Sequence, residues 1–282
     1  FVPVSNPSHL VGNFNNHLRN TVVLFADEAF YAGDKRHTSV LKTLITEDTI
    51  TIEAKGIDIE TVPNFVHLIM ASNDPHVIPA GGDERRFLVA DVGQGRQRDT
   101  EYFKALFDQM DNGGREALLF HLMTYDLEGY QVRDVPETDA LREQKLLSLN
   151  VEEEWWFTKL EEGTVLRHED TWSPTVIKEK LVDDYVHYTK RFNISHRGNQ
   201  TALGKFLKRL YPTMESGRAK MKWEESSGDG FTRTINKVVP VYVLPPTLAA
   251  ARERWAELYG SHDWEEDPQL ELAEGDSNDP PF

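Results

Sequence analysis

The sequence contains no cysteine, and this absence removes two classes of structure. Without cysteine there can be neither a disulfide framework nor a thiolate zinc site. Long apolar runs are also missing. The longest, VVLFA and VHLIMA, are far shorter than the roughly 20 residues that a helix needs to cross a bilayer. We therefore predict neither a signal peptide nor a membrane span, and the composition fits a reducing cytosol.

Basic residues are scarce, with 31 Lys and Arg against 47 Asp and Glu, which gives a formal net charge of −16. That charge argues weakly against a nucleic-acid partner, but its distribution matters more. Residues 261–282 carry many acids and no Lys or Arg, which predicts a disordered acidic tail. Between Lys190 and Lys222, nine Lys or Arg stand against the single acid Glu215, so a basic patch lies within an acidic protein.

The first half of the chain alternates strand-like and helix-like segments. Unbroken apolar runs such as VVLFA are typical of parallel strands covered on both faces. The predicted strands are 21–26, 65–71 and 87–92, the predicted helices are 37–46, 100–110, 114–124 and 137–148, and a hairpin turning at Lys55-Gly56 joins DTITIEA to IDIETV. This order predicts an α/β domain with a largely parallel sheet at 1–135, followed by a helical connector at 136–150.

The second half has a different order of elements. Ser173 is a suitable N-cap with Pro174 at the first helical position, which predicts one helix there, and a second helix follows at about 199–211. Two strand-like pieces come next, GRAKMKWEE and TRTINKVVPVYVLP, around a turn at 227–230. Helix, helix, strand, turn, strand is the order of a winged helix, so we predict an α+β winged-helix-like domain at 151–260 that includes a C-terminal helix.

Polar residues with complementary chemistry follow the apolar strands of the first half. Asp27 and Glu28 come directly after VVLFA, Asn73 follows the next apolar strand, and Arg85 and Arg86 precede a third. Phosphoryl transfer needs a carboxylate for Mg²⁺, a carboxylate that orients water, a neutral amide and an arginine against phosphate charge. Each residue alone has a structural alternative: helix capping for the acids, a turn for Asn73 and surface salt bridges for the arginines.

Together these segments resemble the superfamily 3 helicases, and most closely the primase–helicase proteins of phages and prophages. FVPVSNPSHLVGNFNNHLRNTVVLFADEAF, the hairpin, LIMASND and GGDERRF carry the resemblance. It implies an AAA+-like ATPase core, ATP and Mg²⁺ as cofactors, and a Walker B strand with Asp27 for the metal and Glu28 for water. Asn73 would be the sensor asparagine, and Arg86, or else Arg85, the finger that reaches a neighbouring subunit.

The same resemblance implies a ring, expected to be a homo-hexamer, with single-stranded DNA in its channel and Lys55 at the hairpin tip as the tracking residue. Without the resemblance, a solvated turn would be the better interpretation of Lys55. The implied setting is replication of phage or mobile-element DNA in the cytoplasm of a bacterial host, alongside a linked or separate primase.

One part of the family pattern is missing, because no G-x-x-x-x-G-K-[ST] occurs in the chain. Such a loop supplies the backbone N–H groups and the lysine that hold the phosphates. In the family it precedes the Walker B strand, and Asp27 is only 26 residues from Phe1. We therefore expect a chain truncated just after the P-loop, and negligible ATP hydrolysis by the chain as given.

The basic patch of the second half predicts DNA contacts by the polar side of the second helix, at Lys205, Lys208 and Arg209. A solvated basic face and a protein-docking module are the alternatives. Trp155 and Trp156, in an acidic helix, are expected to form core between the two halves. Base stacking by these two residues is disfavoured, because stacking aromatics usually lie beside basic residues.

Two other functions fit parts of the pattern. The first is a non-catalytic DNA-binding or replisome-adaptor protein that keeps the fold without a P-loop. The second is a metal-dependent nuclease or phosphohydrolase, with Asp27, Glu28, Asp74 and Asp91 around one metal. Asn73 and the arginines suit nucleotide hydrolysis better than this second function.

Overall fold

The computed structural model describes residues 1–6, 9, 12, 14–28, 35–132, 134–192, 194, 200–226 and 232–264. The chain divides into two compact units. The first comprises residues 1–80 and 84–144, and the second comprises residues 81–83 and 145–282. Within the described ranges, no helix combines the length and the apolar character needed to cross a membrane. Most of the predicted acidic tail, residues 265–282, and the predicted turn at 227–230 lie outside the described residues.

A three-stranded parallel sheet organises the first unit. Its strands are β1 (Val2–Val4), β2 (Val23–Asp27) and β5 (His67–Ala71), in the order β1-β2-β5. The predicted strands at 21–26 and 65–71 are thus confirmed, and so is their parallel pairing, with Asp27 opposite Ala71. The sheet is less enclosed than the apolar runs predicted. Residues on β5 alternate between half-buried and exposed, and Ile69 is 54% exposed.

One helix and one hairpin accompany this sheet. Helix α1 (Lys35–Thr46) confirms the prediction at 37–46, and its Leu41 and Leu44 are buried with Leu24 of β2. The predicted hairpin is also present. Strands β3 (Thr49–Ile52) and β4 (Glu60–Pro63) pair antiparallel, and the chain turns at Lys55-Gly56. Gly56 has a φ of +77°, in the left-handed region that favours glycine.

The predicted strand at 87–92 is wrong, because this segment has no strand partner and belongs to no sheet. Phe87 and Val89 nevertheless pack with a small cluster that includes Leu141. The hydroxyl of Thr138 donates to the carbonyl of Val89 at 2.6 Å. The apolar character that predicted a strand therefore reflects packing and a side-chain hydrogen bond rather than a ladder.

The three predicted helices that follow are confirmed. They are α2 (Thr100–Gln109), α3 (Arg115–Thr124) and α4 (Asp139–Leu147), and a π-helical segment, Met110–Gly114, joins the first two. Gly113 in that segment has a φ of +95°, in the left-handed region that glycine tolerates, and it marks the break between the two helices. No residue of α2, α3 or their joint is buried.

The second unit mixes helices with an antiparallel sheet. Helices α5 (Val151–Glu162), α6 (Lys178–Arg191), α7 (Gln200–Leu210) and α8 (Leu248–Tyr259) surround strands β6 (Thr175–Ile177), β7 (Glu215–Ser226) and β8 (Thr232–Val243). The sheet order is β6-β8-β7. The second helix and both long strands are where the sequence predicted them.

The start of α6 differs from the prediction. Ser173 does not cap a helix; its hydroxyl donates to the carbonyl of Thr175, and the helix begins four residues later, after Ile177. The intervening residues Thr-Val-Ile form β6, which pairs antiparallel with β8. A β-branched run with an available partner strand therefore outweighs the capping signal of Ser-Pro.

The core of the second unit is aromatic. Trp155, Trp156 and Trp255 are all 0% exposed and pack with Leu181 and Leu203, among other apolar residues. The indole N–H of Trp155 donates to Asp184 at 3.1 Å, and that of Trp156 to the hydroxyl of Tyr211 at 2.9 Å. Trp155 and Trp156 are thus core residues of the second unit itself, and their burial excludes base stacking.

We predict that Leu181→Ala destabilises the second unit by about 2–5 kcal/mol, because Leu181 is fully buried in this core and its loss leaves a cavity. Urea unfolding followed by tryptophan fluorescence reports on this unit alone, since all six tryptophans lie beyond residue 150. Lys190→Ala, an exposed change on the same helix, is the control and should stay within about 0.5 kcal/mol of the parent. Equal midpoints for the two variants would contradict the assigned core.

Candidate active site at the sheet edge

The site is created where parallel strands β2 and β5 end side by side. Asp27 is the last residue of β2 and Glu28 follows it, while Ser72 and Asn73 follow β5. Since parallel strands bring their carboxyl ends to the same edge of a sheet, residues 45 apart in the chain become neighbours. The structure brings Glu28 within hydrogen-bond distance of Asn73.

Glu28 has an unusual backbone conformation. Its φ is +50°, a left-handed value that non-glycine residues rarely adopt and that costs of the order of 1–3 kcal/mol. The backbone N–H of Glu28 donates to the carbonyl of Ala71 at 2.9 Å, so one further bond ties β2 to β5 beyond the ladder. Such local strain is concentrated at functional sites, where the surrounding structure holds it in place.

Both oxygens of the Glu28 carboxylate accept hydrogen bonds. Oε1 accepts from the backbone N–H of Asn73 at 2.8 Å and from its side-chain Nδ2 at 2.9 Å, and Oε2 accepts from the hydroxyl of Ser72 at 2.8 Å. These bonds favour the charged form, so the pKa of Glu28 lies below its ordinary value. The backbone N–H of Asn73 is the largest cause and the Ser72 hydroxyl the next. Glu28 is therefore an oriented anion at neutral pH.

Asp27 has an exposed side chain, with no hydrogen bond or ion pair to any residue that the structure describes. Across the described residues, no group of three or more His, Asp or Glu could hold a metal ion. Mg²⁺ in nucleotide sites takes only one or two protein carboxylates and completes its shell with phosphate and water. The single carboxylate of Asp27 fits that requirement, but not a metal site made of protein ligands alone.

The nuclease pattern gains no support from this geometry. Asp74 uses Oδ1 to accept from the backbone N–H of His76 at 2.9 Å, which is a turn contact. Asp91 is exposed, in the segment that was wrongly predicted as a strand. Neither residue joins Asp27 and Glu28 in a group that could hold a metal.

Arg85 and Arg86 occupy different surroundings. Arg86 Nη1 lies 3.3 Å from Oε1 of Glu84, whose side chain is only 1% exposed, and Arg86 is itself partly covered. The same carboxylate accepts from the backbone N–H groups of both arginines and lies 3.8 Å from the ammonium of Lys42. The side chain of Arg85 is exposed, with no hydrogen bond or ion pair to a described residue. Arg86 is thus held within its own unit, and Arg85 is available.

The residues predicted to contact DNA also differ in their surroundings. Lys55 is exposed at the tip of the β3–β4 hairpin, beside Ile57, which is also exposed. On α7, Lys208 donates to the carbonyls of Pro212 and Met214 at 2.7 and 2.8 Å, and Arg209 pairs with Glu153 at 2.7 Å. Lys205 alone among these three makes no hydrogen bond or ion pair with a described residue.

Two contributors were missed from the sequence. Ser72 gives Glu28 a hydroxyl donor, and Glu84 holds Arg86. Ser72 had a usable signal, since it is the first polar residue after β5, as Asn73 is the second. The burial of Glu84 had no signal in the sequence, because its neighbours in GGDERRF are polar and charged.

Comparisons with known proteins give a family match over part of the chain and a shared fold. A model of DUF5906, a family of unknown function, matches residues 1–86. No curated protein matches. Two structures of the C-terminal region of NrS-1 superpose with TM-scores of 0.54 and 0.53, at 15% and 17% identity, and each covers 86% of this chain. The chain spans 60% of the length of those structures. At such identities the likeness shows a shared mixed α/β fold.

We predict that Ser72→Ala raises the pKa of Glu28, and that Asn73→Ala, which keeps the backbone donor, raises it less. A carboxylate that loses a donor to its charged form becomes easier to protonate. Carboxyl ¹³C titration by NMR measures both shifts, and Ser39→Ala, an exposed change on α1, is the control. With its pKa lowered in the folded state, Glu28 adds stability above its unfolded-state pKa. This contribution is lost as pH falls through the folded value. A larger rise in Asn73→Ala than in Ser72→Ala would contradict the assigned donors.

Proposed function

We propose that this chain is part of an ATP-driven DNA helicase of the superfamily 3 type that acts in phage or mobile-element replication. The observation that carries the proposal is the Glu28 carboxylate, held by Asn73 and Ser72 beside Asp27 at the carboxyl edge of a parallel sheet. The first unit would be the AAA+-like ATPase core. The resemblance of VVLFADE and LIMASND to that family, stated above, supports the same assignment.

The residues divide the work of phosphoryl transfer between them. ATP with Mg²⁺ would supply the bond that is cleaved and a cation that offsets its charge, with Asp27 as the metal-holding carboxylate. Glu28 would orient and polarise the attacking water. The amide of Asn73 would place a neutral donor near the γ-phosphate without adding repulsion. Catalysis then depends on fixed positions and charges rather than on covalent chemistry by the protein.

Glu28 has to lose one of its hydrogen bonds before it can act on water. A general base works best with a pKa near the working pH, whereas the pKa of Glu28 is lowered and both its oxygens accept bonds. Releasing the Ser72 hydroxyl or the Asn73 side chain frees an oxygen for water and raises the basicity of the carboxylate. We propose that nucleotide binding makes this exchange.

Two further residues extend the proposal beyond one subunit. Arg85, exposed and without a partner in the described chain, suits a finger that reaches the nucleotide of a neighbouring subunit better than Arg86, which is held by Glu84. A finger acting between subunits requires an oligomer, and we propose a homo-hexameric ring. The hairpin tip with Lys55 would contact single-stranded DNA in its channel.

In the second unit, α6 and α7 are followed by the antiparallel strands β7 and β8, which supports the helix, helix, strand, strand order of a winged helix. We propose that it is a winged-helix-like accessory domain. Its core is filled by aromatic side chains, so its contribution to function comes from its surface.

A second function is favoured by one observation. No P-loop motif occurs in the 282 residues, and without one the phosphates lack a nest of backbone N–H groups. A DNA-binding or replisome-adaptor protein with the same fold would need no such loop. Turnover measured on the product of the complete open reading frame separates these two functions.

We predict that Glu28→Gln lowers the ATP turnover of that full-length product about 100-fold or more, because the neutral amide cannot polarise water as a carboxylate does. A steady-state phosphate-release assay with DNA present measures it. Glu47→Gln, an exposed change just after α1, is the control and should leave turnover unchanged. Parent-like turnover in Glu28→Gln would remove Glu28 from the mechanism. No turnover in the parent protein would favour the adaptor.

We predict that Lys55→Ala weakens single-strand binding by the full-length protein and lowers the slope of log K against log salt by about 0.7, the value for one lost phosphate contact. Sequence preference should not change, since phosphate contacts carry no base information. Fluorescence anisotropy with labelled oligonucleotides measures both quantities. Lys104→Ala, an exposed lysine of α2 in the same unit, serves as the control. An unchanged slope would show that the hairpin tip makes no phosphate contact.

A further inference from the structure

A groove crosses the second unit between its helices and its sheet. One depression, of about 790 Å³, lies against the first turns of α7, the start of β7 and Tyr242 of β8. A second, of about 390 Å³, continues along β8 at residues 237–240 and past Arg218 of β7. The two depressions share Lys178 and Gln200, so they form one continuous surface, which we call the α7–sheet groove.

Tyr242 lines this groove with an unused donor. The residue is only 6% exposed, and its hydroxyl makes no hydrogen bond with any residue that the structure describes. The hydroxyl lies against Gly204 of α7, where an added Cβ would be only 2.6 Å away. Burial raises the pKa of Tyr242, which keeps the phenol protonated and able to donate. The hydroxyl therefore remains available to donate to a ligand in the groove.

Lys178 places a positive charge over the ring of Tyr242. Its ammonium lies 4.5 Å from the centre of the Tyr242 ring and donates a short hydrogen bond to the hydroxyl of Ser216. An ammonium has three donors, so this contact leaves capacity for an anion. Lys178 was not predicted from the sequence, because it lies outside the run of basic residues between Lys190 and Lys222.

The charges along the groove are mostly positive. Besides Lys178, its lining includes Lys205, Lys208, Arg218 and Lys237 against two acids, Glu179 and Glu215. Lys208 is already bonded to two backbone carbonyls, whereas Lys205 has no partner among the described residues. The cation of α7 that is available to a ligand is therefore Lys205, which lines the same depression as Lys178.

We propose that the α7–sheet groove binds the sugar–phosphate backbone of a nucleic-acid strand, with one phosphate held by Lys178, Lys205 and the hydroxyl of Tyr242. A neutral phenol donor that shares a depression with two lysines matches the several acceptor oxygens of a phosphate. A free phosphate would fill only the Tyr242 end, whereas the further cations continue past Arg218, as a strand with repeated charges requires. The proposal rests on the proposed function for its choice of DNA as the partner, but not on nucleotide hydrolysis.

The test measures DNA binding by the chain without nucleotide, in a Lys55→Ala background so that the hairpin of the first unit cannot mask the result. Anisotropy of a labelled 30-nucleotide single strand and of the matching duplex gives the affinity at several salt concentrations. Lys178→Ala and Lys205→Ala should each weaken binding about 5- to 10-fold near 0.1 M salt. Each should also lower the salt slope by about 0.7 to 0.9. Lys190→Ala, at the end of α6 and outside the groove, should change neither.

Tyr242→Phe distinguishes a ligand-binding hydroxyl from a structural one. It should weaken binding about 3- to 10-fold and leave the salt slope unchanged, because the lost donor is neutral. Its melting temperature should stay close to that of the parent, since the hydroxyl makes no hydrogen bond with a residue of the described chain. A lower melting temperature would show that the hydroxyl has a structural partner and would overturn its role here.

Several results would overturn the proposal as a whole. One is the absence of DNA binding by the Lys55→Ala chain. Another is an equal affinity of the three variants Lys178→Ala, Lys205→Ala and Lys190→Ala. Displacement of DNA by a poly-glutamate peptide as readily as by unlabelled DNA, at matched ionic strength, would assign the groove to acidic peptides. Displacement by inorganic phosphate beyond the effect of equal ionic strength in chloride would assign it to a free phosphate. Each result leaves the Glu28 turnover experiment unaffected, so the two proposals fail separately.

Discussion

The pairing of β2 with β5 is the constraint on which the candidate site depends. Without it, Glu28 and Asn73 are 45 residues apart and nothing holds either side chain. With it, the ladder runs from Val23 opposite His67 to Asp27 opposite Ala71, and the next backbone N–H along β2 bonds the same Ala71 carbonyl. The left-handed backbone of Glu28 lies at this same point, where its carboxylate accepts hydrogen bonds from Ser72 and Asn73 just after β5. Site geometry, strain and lowered basicity thus share one origin.

In the second unit, intramolecular contacts already engage part of the basic surface. Of the cations on α7, Lys208 closes the end of the helix against Pro212 and Met214, and Arg209 faces Glu153 of α5. What remains for a partner is Lys205, together with Lys178 of α6. A count of positive charges along the sequence therefore overestimates the binding surface on α7 and overlooks the lysine beside Tyr242. Charge is informative about function only after the intramolecular contacts have been assigned.

Much of the secondary structure was predictable, because it is encoded locally. The apolar run before Asp27 predicts a strand, and the glycine at 56 predicts the turn of a hairpin. Predictions failed where a partner decides the outcome. FLVADV at 87–92 has strand composition but no neighbouring strand, and Thr175–Ile177 becomes a strand because β8 lies beside it. Local propensity is a weak prior in such cases.

The candidate site was predictable to a similar degree. Asp27, Glu28 and Asn73 follow strands, so topology alone places them at one edge. The choice between Arg85 and Arg86 as the finger could not be made from topology, because the difference between them depends on the burial of Glu84. The hydroxyl of Tyr242 was beyond reach for the same reason: its lack of a partner is a property of the packed unit, not of the residues around it in sequence.

The pair of helices α2 and α3 has a thermodynamic consequence. Phe107, Phe120 and Met123 are 58%, 70% and 77% exposed, in a segment where no residue is buried. Removing apolar area of this kind from water is favourable in free energy and lowers the heat capacity. Association through these helices, with any partner, will therefore carry a negative heat-capacity change and tighten on warming from the cold. Temperature, rather than salt, is the variable to which this part of the surface responds.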